Sequence, residues 1–134
     1  MSGQIRPLVS EREILARFVR HERWIRADRT IRQDAFIPPR DLNHSVTRHA
    51  ELTPEQLWSR GRRIAGQRDA GLFGRADVHA AEVRSVGLEA VEHPLADNPE
   101  HAHVVGWPLD KPAQKNKAQE LAARSTFVAA DAAQ

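Results

Sequence analysis

The chain has 134 residues, with 20 basic against 18 acidic side chains and no cysteine. This length is typical of a single domain, and a hydrophobic fraction of 40% is sufficient for one core. The absence of cysteine excludes disulfides, thiolate metal sites and cysteine nucleophiles. No apolar segment has the length of a membrane span or of a signal peptide. We therefore expect a cytoplasmic protein that has no membrane partner.

The charge is distributed unevenly along the chain. Residues 1–75 contain 15 arginines against nine acidic residues, and residues 76–134 contain five basic residues against nine acidic ones. Such asymmetry is typical of a nucleic-acid face or of a docking surface for an acidic partner. It is equally compatible with two halves of one domain that attract each other.

The first half of the chain contains two predicted helices and a short strand. Residues 10–28 have apolar side chains at helical spacing, with Ser10 as a candidate cap, and predict an amphipathic helix. Residues 35–37 precede two prolines and predict a short edge strand or an extended loop, and residues 44–49 predict a strand. The Thr53-Pro-Glu-Gln segment predicts a capping box and a helix over 54–65.

The second half of the chain alternates between helix and strand signals. The glycine-rich residues 66–75 predict a loop. Residues 76–86 fit either a helix or a strand, and a short helix capped by Asp77 is the interpretation that we favour. Residues 88–93 and 102–107 predict the two strands of a hairpin. A further helix is predicted over 113–125.

These elements together predict an α+β fold. We expect three or four helices and a short, mostly antiparallel sheet in a single globular domain over residues 1–128. The alanine-rich residues 129–134 are expected to form a flexible tail.

The densest group of polar residues lies in the loop of the predicted hairpin and at its ends. His101 and His103 are two residues apart, so their side chains leave the same face of a strand, and His93 can meet them across the hairpin. Three imidazoles with an open position are typical of a catalytic zinc site, and Asp97 or Glu100 would then act as the base. This interpretation predicts a small metal-assisted hydrolase or nucleotide-handling enzyme. The alternative is a set of exposed loop histidines.

Two further features allow a functional and a structural interpretation. Ser45 follows His44 and is a candidate activated nucleophile, although Val46 beside it is more typical of a core strand. Trp107 precedes a proline and is either a stacking or docking surface or an aromatic lid over the core.

The Arg-rich N-terminal half contains the binding residues that we favour. A compact basic segment at the end of the second helix lies close to a tryptophan, and the first helix adds two arginines. The predicted contacts are Arg60, Arg62, Arg63 and Trp58, with Arg20 and Arg23 secondary. They predict a non-enzymatic accessory or interaction module that engages an acidic partner, either a larger protein or nucleic acid. In this interpretation there is no catalytic residue, no metal and no cofactor.

Several segments also resemble a known group of proteins. Phe36-Ile-Pro-Pro, Ser45-Val-Thr-Arg48 and the Asn-Pro-Glu-His-Ala…Gly-Trp-Pro segment that begins at Asn98 resemble a family of small uncharacterised bacterial proteins. The resemblance spans residues 30–128. It implies a bacterial, cytosolic, stand-alone protein and carries over no activity, ligand or site residue.

Overall fold

The computed structural model describes residues 6–130 and contains a six-stranded antiparallel sheet. The α+β class predicted from the sequence is confirmed. The strands are β1 (Ile14–Val19), β2 (His44–Arg48), β3 (Gly74–His79), β4 (Glu89–Glu92), β5 (His101–Val105) and β6 (Thr126–Ala129). The helices are α1 (Pro54–Gln67), α2 (Ala80–Ser85) and α3 (Lys111–Arg124), and 3-10 turns occupy Glu22–Trp24 and Gln33–Phe36. The strand order across the sheet is β4-β5-β2-β1-β3-β6.

The two faces of the sheet carry unequal cores. The face covered by α2, α3 and the 3-10 turns holds the larger cluster, which includes Leu15, Phe36 and Leu121. The other face holds a small cluster in which Phe18 of β1 packs near Leu57 of α1. Helix α1 therefore covers its face only in part, and polar side chains of β2 and β5 share the remaining area.

The helix predicted over 10–28 is wrong, because its centre is strand β1. Within β1, Leu15 and Val19 point into the large core, whereas Ala16 and Phe18 point to the face under α1. Both sides of the strand are buried, so its apolar residues form a nearly continuous run that also fits helical spacing. The position of this segment in the interior of the sheet makes it a strand and not a helix.

Residues 76–79 belong to strand β3, so the favoured helix over residues 76–86 is wrong for this part and the strand alternative is correct. Ala76 and Val78 alternate into the core, and the helical segment begins only at Ala80. Asp77 does not cap that helix, because its carboxylate accepts from Arg75 at 3.1 Å. The short segment 76–86 therefore contains the end of a strand and a helix, and no single period describes it.

Where caps or turns delimit an element, the predictions are confirmed. Helix α1 begins with the predicted box, in which Thr53 and Gln56 exchange hydrogen bonds of 2.8 and 3.1 Å. Strand β2, the β4–β5 hairpin and α3 also lie where the sequence indicated. Residues 33–36, by contrast, form a 3-10 turn, which places the fully buried Phe36 in the core.

The end of the chain contains an element that the sequence pattern did not indicate. Strand β6 pairs with β3 from Thr126 to Ala129, so the predicted tail begins at the last residue of a strand. The strand has only four residues, lies at the edge of the sheet and is partly buried. Its alternation of apolar and polar residues is therefore too short to predict a strand. Residues 131–134 of the predicted tail lie outside the described part.

Candidate functional site: a basic groove beside a histidine cluster

A gap between the two middle strands positions the first functional side chain. Strands β1 and β2 are paired at only two positions, Leu15 with Arg48 and Ala16 with Thr47. Beyond these, Arg17 lies between the strands and donates from Nη1 to the carbonyl of Ser45 at 3.3 Å. Its Nε donates to the carbonyl of Ala35 at 2.7 Å. The guanidinium of Arg17 therefore replaces part of a strand ladder.

Two further arginines surround Arg17 and form with it what we call the arginine cluster: Arg17, Arg20 and Arg68. The guanidinium carbons of Arg17 and Arg20 lie 5.3 and 5.7 Å from the centre of the Trp24 ring. Within residues 6–130, none of the three guanidinium groups forms a salt bridge. Burial first, and then repulsion from Arg20 and Arg68, lowers the pKa of Arg17. Burial and Arg68 likewise lower the pKa of Arg20.

The arginine cluster opens into a depression between α1 and the strands β2 and β5, which we call the basic groove. It consists of two adjoining cavities of about 40 and 110 Å³. Both cavities are lined by Ser45, Ile64, Arg68 and His101. The buried Oδ1 of Asn98, which also lines the larger cavity, has no hydrogen-bond partner in the described residues. The groove thus presents cations and polar groups together with the carboxylate of Asp97.

The three histidines of the hairpin lie together at one end of the basic groove and are called here the histidine cluster. Strand β5 places His101 and His103 on the face that carries α1, and His93 follows β4 on the same face. One ring nitrogen from each histidine lies within 4.8 Å of the other two. The Nδ1 atoms of His93 and His101 are 3.0 Å apart, and the rings of His93 and His103 stack at 4.2 Å. The proximity that the spacing predicted is therefore present.

The hydrogen bonds of the cluster assign protons to two of the rings. Because a carbonyl oxygen only accepts, His101 Nδ1 must carry a proton when it donates to the His93 carbonyl at 2.9 Å. His103 Nδ1 must be the acceptor of its 2.6 Å bond, since the partner is the Nη2 donor of Arg6. Burial, followed by repulsion from His93, His101 and Arg6, lowers the pKa of His103 to about 4. Burial also lowers the pKa of His101. Both rings are thus neutral near pH 7.

The two carboxylates predicted from the sequence as a base both accept hydrogen bonds from side chains of α1. Glu100 accepts from Arg60 at 2.8 Å, and Asp97 accepts from Gln67 at 2.9 Å. The bond from Gln67 is the main cause that lowers the pKa of Asp97. These contacts attach the 94–100 loop to α1, while Asp97 lines the larger cavity of the basic groove together with His101.

The same contacts bear on the predicted binding residues of α1. Arg60 is paired with Glu100, and Arg63 donates to the Asp97 carbonyl at 3.0 Å. Trp58 is buried, with the guanidinium of Arg75 4.6 Å from its ring centre. Arg62 is exposed and has no salt bridge among the described residues. At the basic end of α1, only Arg60 is therefore paired with a carboxylate of residues 6–130, and Arg62 and Arg63 are exposed.

The structure groups the arginines differently from the sequence pattern. Arg20 and Arg23 line an open depression together with Arg68, which reasoning from sequence did not choose. Arg68 has no acidic residue four positions before it, and this signal was available. In a helix over residues 10–28, Arg17 would lie one turn after Glu13 and pair with it, which conceals Arg17 as a binding residue. In the structure Glu13 pairs instead with Arg48 at 2.7 Å.

The other two candidates are the His44–Ser45 pair and Trp107. The pair is divided between the two faces of the sheet, and Trp107 lies against the core. His44 and Ser45 are neighbours on a strand, so their side chains point to different faces and do not form a nucleophile–base pair. His44 lies between the rings of Phe36 and Trp107, at 5.8 and 6.1 Å. Trp107 is 5% exposed and donates from Nε1 to the Val104 carbonyl at 2.9 Å. It covers the core.

Comparisons with known proteins give no relative from which a function could be inferred. In residues 6–130, no helix has the length and apolar character needed to cross a bilayer. No family model, curated protein or solved structure matches the chain. The resemblance to small bacterial proteins stays a prediction, and the function must be argued from the basic groove and the histidine cluster.

Proposed function

We propose that this protein is a non-enzymatic interaction module of the bacterial cytoplasm that binds an acidic partner in the basic groove. One observation carries the proposal. Three guanidinium groups, those of Arg17, Arg20 and Arg68, are gathered at the end of the groove without forming a salt bridge within residues 6–130. This site replaces the basic end of α1 as the centre of the binding surface.

The arrangement costs free energy in the unbound protein. Like charges repel one another, and the repulsion grows where the surroundings exclude water. The pKa values of Arg17 and Arg20 are lowered by this repulsion in addition to burial. An anion placed between the guanidinium groups relieves the repulsion and gains charge-assisted hydrogen bonds.

The cluster is also organised before a partner arrives. Arg17 is fixed by the carbonyls of Ala35 and Ser45, which leaves little side-chain entropy to lose on binding. Arg68 is exposed and Arg20 is partly exposed, so both remain available to the partner. Guanidinium groups bind phosphate and carboxylate oxygens in a bidentate manner, so both a nucleic acid and an acidic protein suit the groove. The partner class is therefore what the experiment must decide.

The test measures binding of two labelled polyanions, a single-stranded oligonucleotide and a glutamate-rich peptide, by fluorescence anisotropy over a series of salt concentrations. We expect Arg20→Gln and Arg68→Gln each to weaken binding by about 10- to 100-fold, the loss of one hydrogen bond to a charged group. Affinity for the oligonucleotide should fall steeply as salt increases.

Two control variants distinguish a site from general basic charge. Arg40→Gln removes an exposed arginine outside the basic groove, and Arg62→Gln removes the exposed arginine of the surface that the sequence favoured. Both should retain nearly full affinity. Equal losses in all four variants would show diffuse electrostatic binding, and no binding of either polyanion at low salt would refute the proposal.

A further inference from the structure

The histidine cluster has the donor set of a metal site and lies in a rigid part of the fold. Two of its members, His101 and His103, are 7% and 8% exposed on β5, which is paired on both sides. His93 is half-buried and follows directly after β4. One nitrogen from each ring falls within 4.8 Å of the others. Nitrogen ligands of a tetrahedral zinc ion are separated by about 3.3 Å, which follows from Zn–N bonds of about 2.0–2.1 Å.

We propose that His93, His101 and His103 form a binding site for a divalent transition metal ion, zinc in the first instance, and that Arg6 occupies this site in the metal-free protein. The proposal concerns a second site and does not depend on the function of the basic groove. Imidazole nitrogens suit zinc, and three of them leave a position free for water or a substrate atom.

The hydrogen bond of His101 prepares that ring for a metal. Its Nδ1–H donates to the backbone carbonyl of His93 at 2.9 Å. Metal-bound histidines usually donate their second N–H to a carbonyl or a carboxylate, which fixes the tautomer and the ring orientation. If His101 keeps this bond when an ion binds, Nε2 is the nitrogen that it has left as a ligand.

The contact with Arg6 shows which nitrogen of His103 faces a positively charged group, namely Nδ1. Its guanidinium donates to His103 Nδ1 at 2.6 Å, so that lone pair already points to a positive group. A metal ion and Arg6 compete for the same nitrogen, and binding of the ion requires Arg6 to leave. Arg6 also donates weakly to the Glu92 carbonyl at 3.4 Å, which gives it an alternative partner on the adjacent strand.

Metal binding also requires one ring to turn. The rings of His93 and His103 are stacked with an angle of 24° between them, whereas a ligand lone pair lies in the plane of its ring. His93 is the ring that moves, since it lies beyond the end of β4 and is the most exposed of the three. This step predicts a change in the environment of the His93 ring on titration.

The experiment is a calorimetric titration of the full chain with Zn²⁺, accompanied by the visible absorption spectrum of the Co²⁺-loaded protein. We expect one equivalent to bind, with absorption bands typical of tetrahedral cobalt. His101→Ala and His93→Ala should each weaken binding at least about tenfold, since loss of a group that only orients a metal ligand already costs about 10- to 100-fold in affinity. Arg6→Gln should strengthen it by a similar factor, because the competing cation is gone.

The control variant is His79→Ala, which removes an exposed histidine outside the cluster and should bind as the wild type does. His93→Ala keeps the test informative if the buried His101 proves necessary for folding. The proposal is overturned if neither the wild type nor Arg6→Gln binds one equivalent, or if His79→Ala loses as much affinity as His93→Ala. Unchanged affinity in Arg6→Gln would overturn the competition between Arg6 and the ion.

Discussion

The ion pair between Arg60 and Glu100 gives the sharpest test of how the basic end of α1 is used. Both Nε and Nη2 of Arg60 donate to one oxygen of Glu100, at 3.1 and 2.8 Å. The two side chains are only 23% and 21% exposed. We expect that alanine at either position loosens the 94–100 loop from the helix and lowers the free energy of unfolding.

The magnitude follows from this burial. Fully exposed pairs contribute about 0.2–1 kcal/mol, and hydrogen bonds to charged groups about 1.5–3 kcal/mol. A pair that is mostly buried and doubly bonded should lie between these ranges, with a coupling energy of about 1–2 kcal/mol. The midpoint of thermal unfolding should fall by about 3–5 °C for each kcal/mol in a domain of this size.

The assay is a double-mutant cycle of Arg60→Ala, Glu100→Ala and the double variant, followed by urea unfolding at low and high salt. The coupling should persist at high salt, because buried pairs are screened less than exposed ones. A coupling energy below about 0.3 kcal/mol would refute this reasoning. So would a variant Arg60→Ala that binds polyanions more weakly but unfolds like the wild type, and that result would restore the surface predicted from the sequence.

Two other properties of the fold can be tested by substitution. An added methyl group at Gly61 would lie 2.6 Å from Cε1 of Phe18, so Gly61→Ala should destabilise the protein by about 1–3 kcal/mol. A methyl group at Gly66 in the same helix meets nothing within 4 Å, so Gly66→Ala should stabilise the protein by about 0.5–1 kcal/mol. Similar unfolding midpoints for the two variants would contradict close packing of α1 on β1. Burial, followed by repulsion from Arg17 and Arg20, holds the pKa of His44 well below 6.5. Below pH 6.5 the unfolded chain therefore binds a proton at His44 that the folded protein does not bind. The free energy of unfolding thus falls as the pH decreases. His44→Leu should make this fall shallower by up to about 1.4 kcal/mol per pH unit in urea unfolding between pH 5 and 6, and an unchanged slope would show that His44 is protonated in the folded state.

The sequence alone determined the elements that local chemistry specifies. Helix α1 begins where Thr53 and Gln56 satisfy its first backbone donors, and these groups are four residues or fewer apart. The β4–β5 hairpin also follows from local signals, and the period of two along β5 places His101 and His103 on one face. The proximity of the histidine cluster could therefore be predicted before any tertiary contact was known.

Features that depend on a distant partner follow from contacts in space, which the local sequence pattern does not contain. The pattern of Ile14–Val19 fits a helix as well as a strand, and only pairing with β2 and β3 makes it a strand. That pairing removes Arg17 from Glu13 and places it beside Arg20 and Arg68, which is far along the chain. The charges along the sequence also did not reveal that Glu100 neutralises Arg60, because the two residues are 40 positions apart. Hydrogen bonds and ion pairs act over a few ångströms in space, and the separation of two residues in the sequence does not determine that distance.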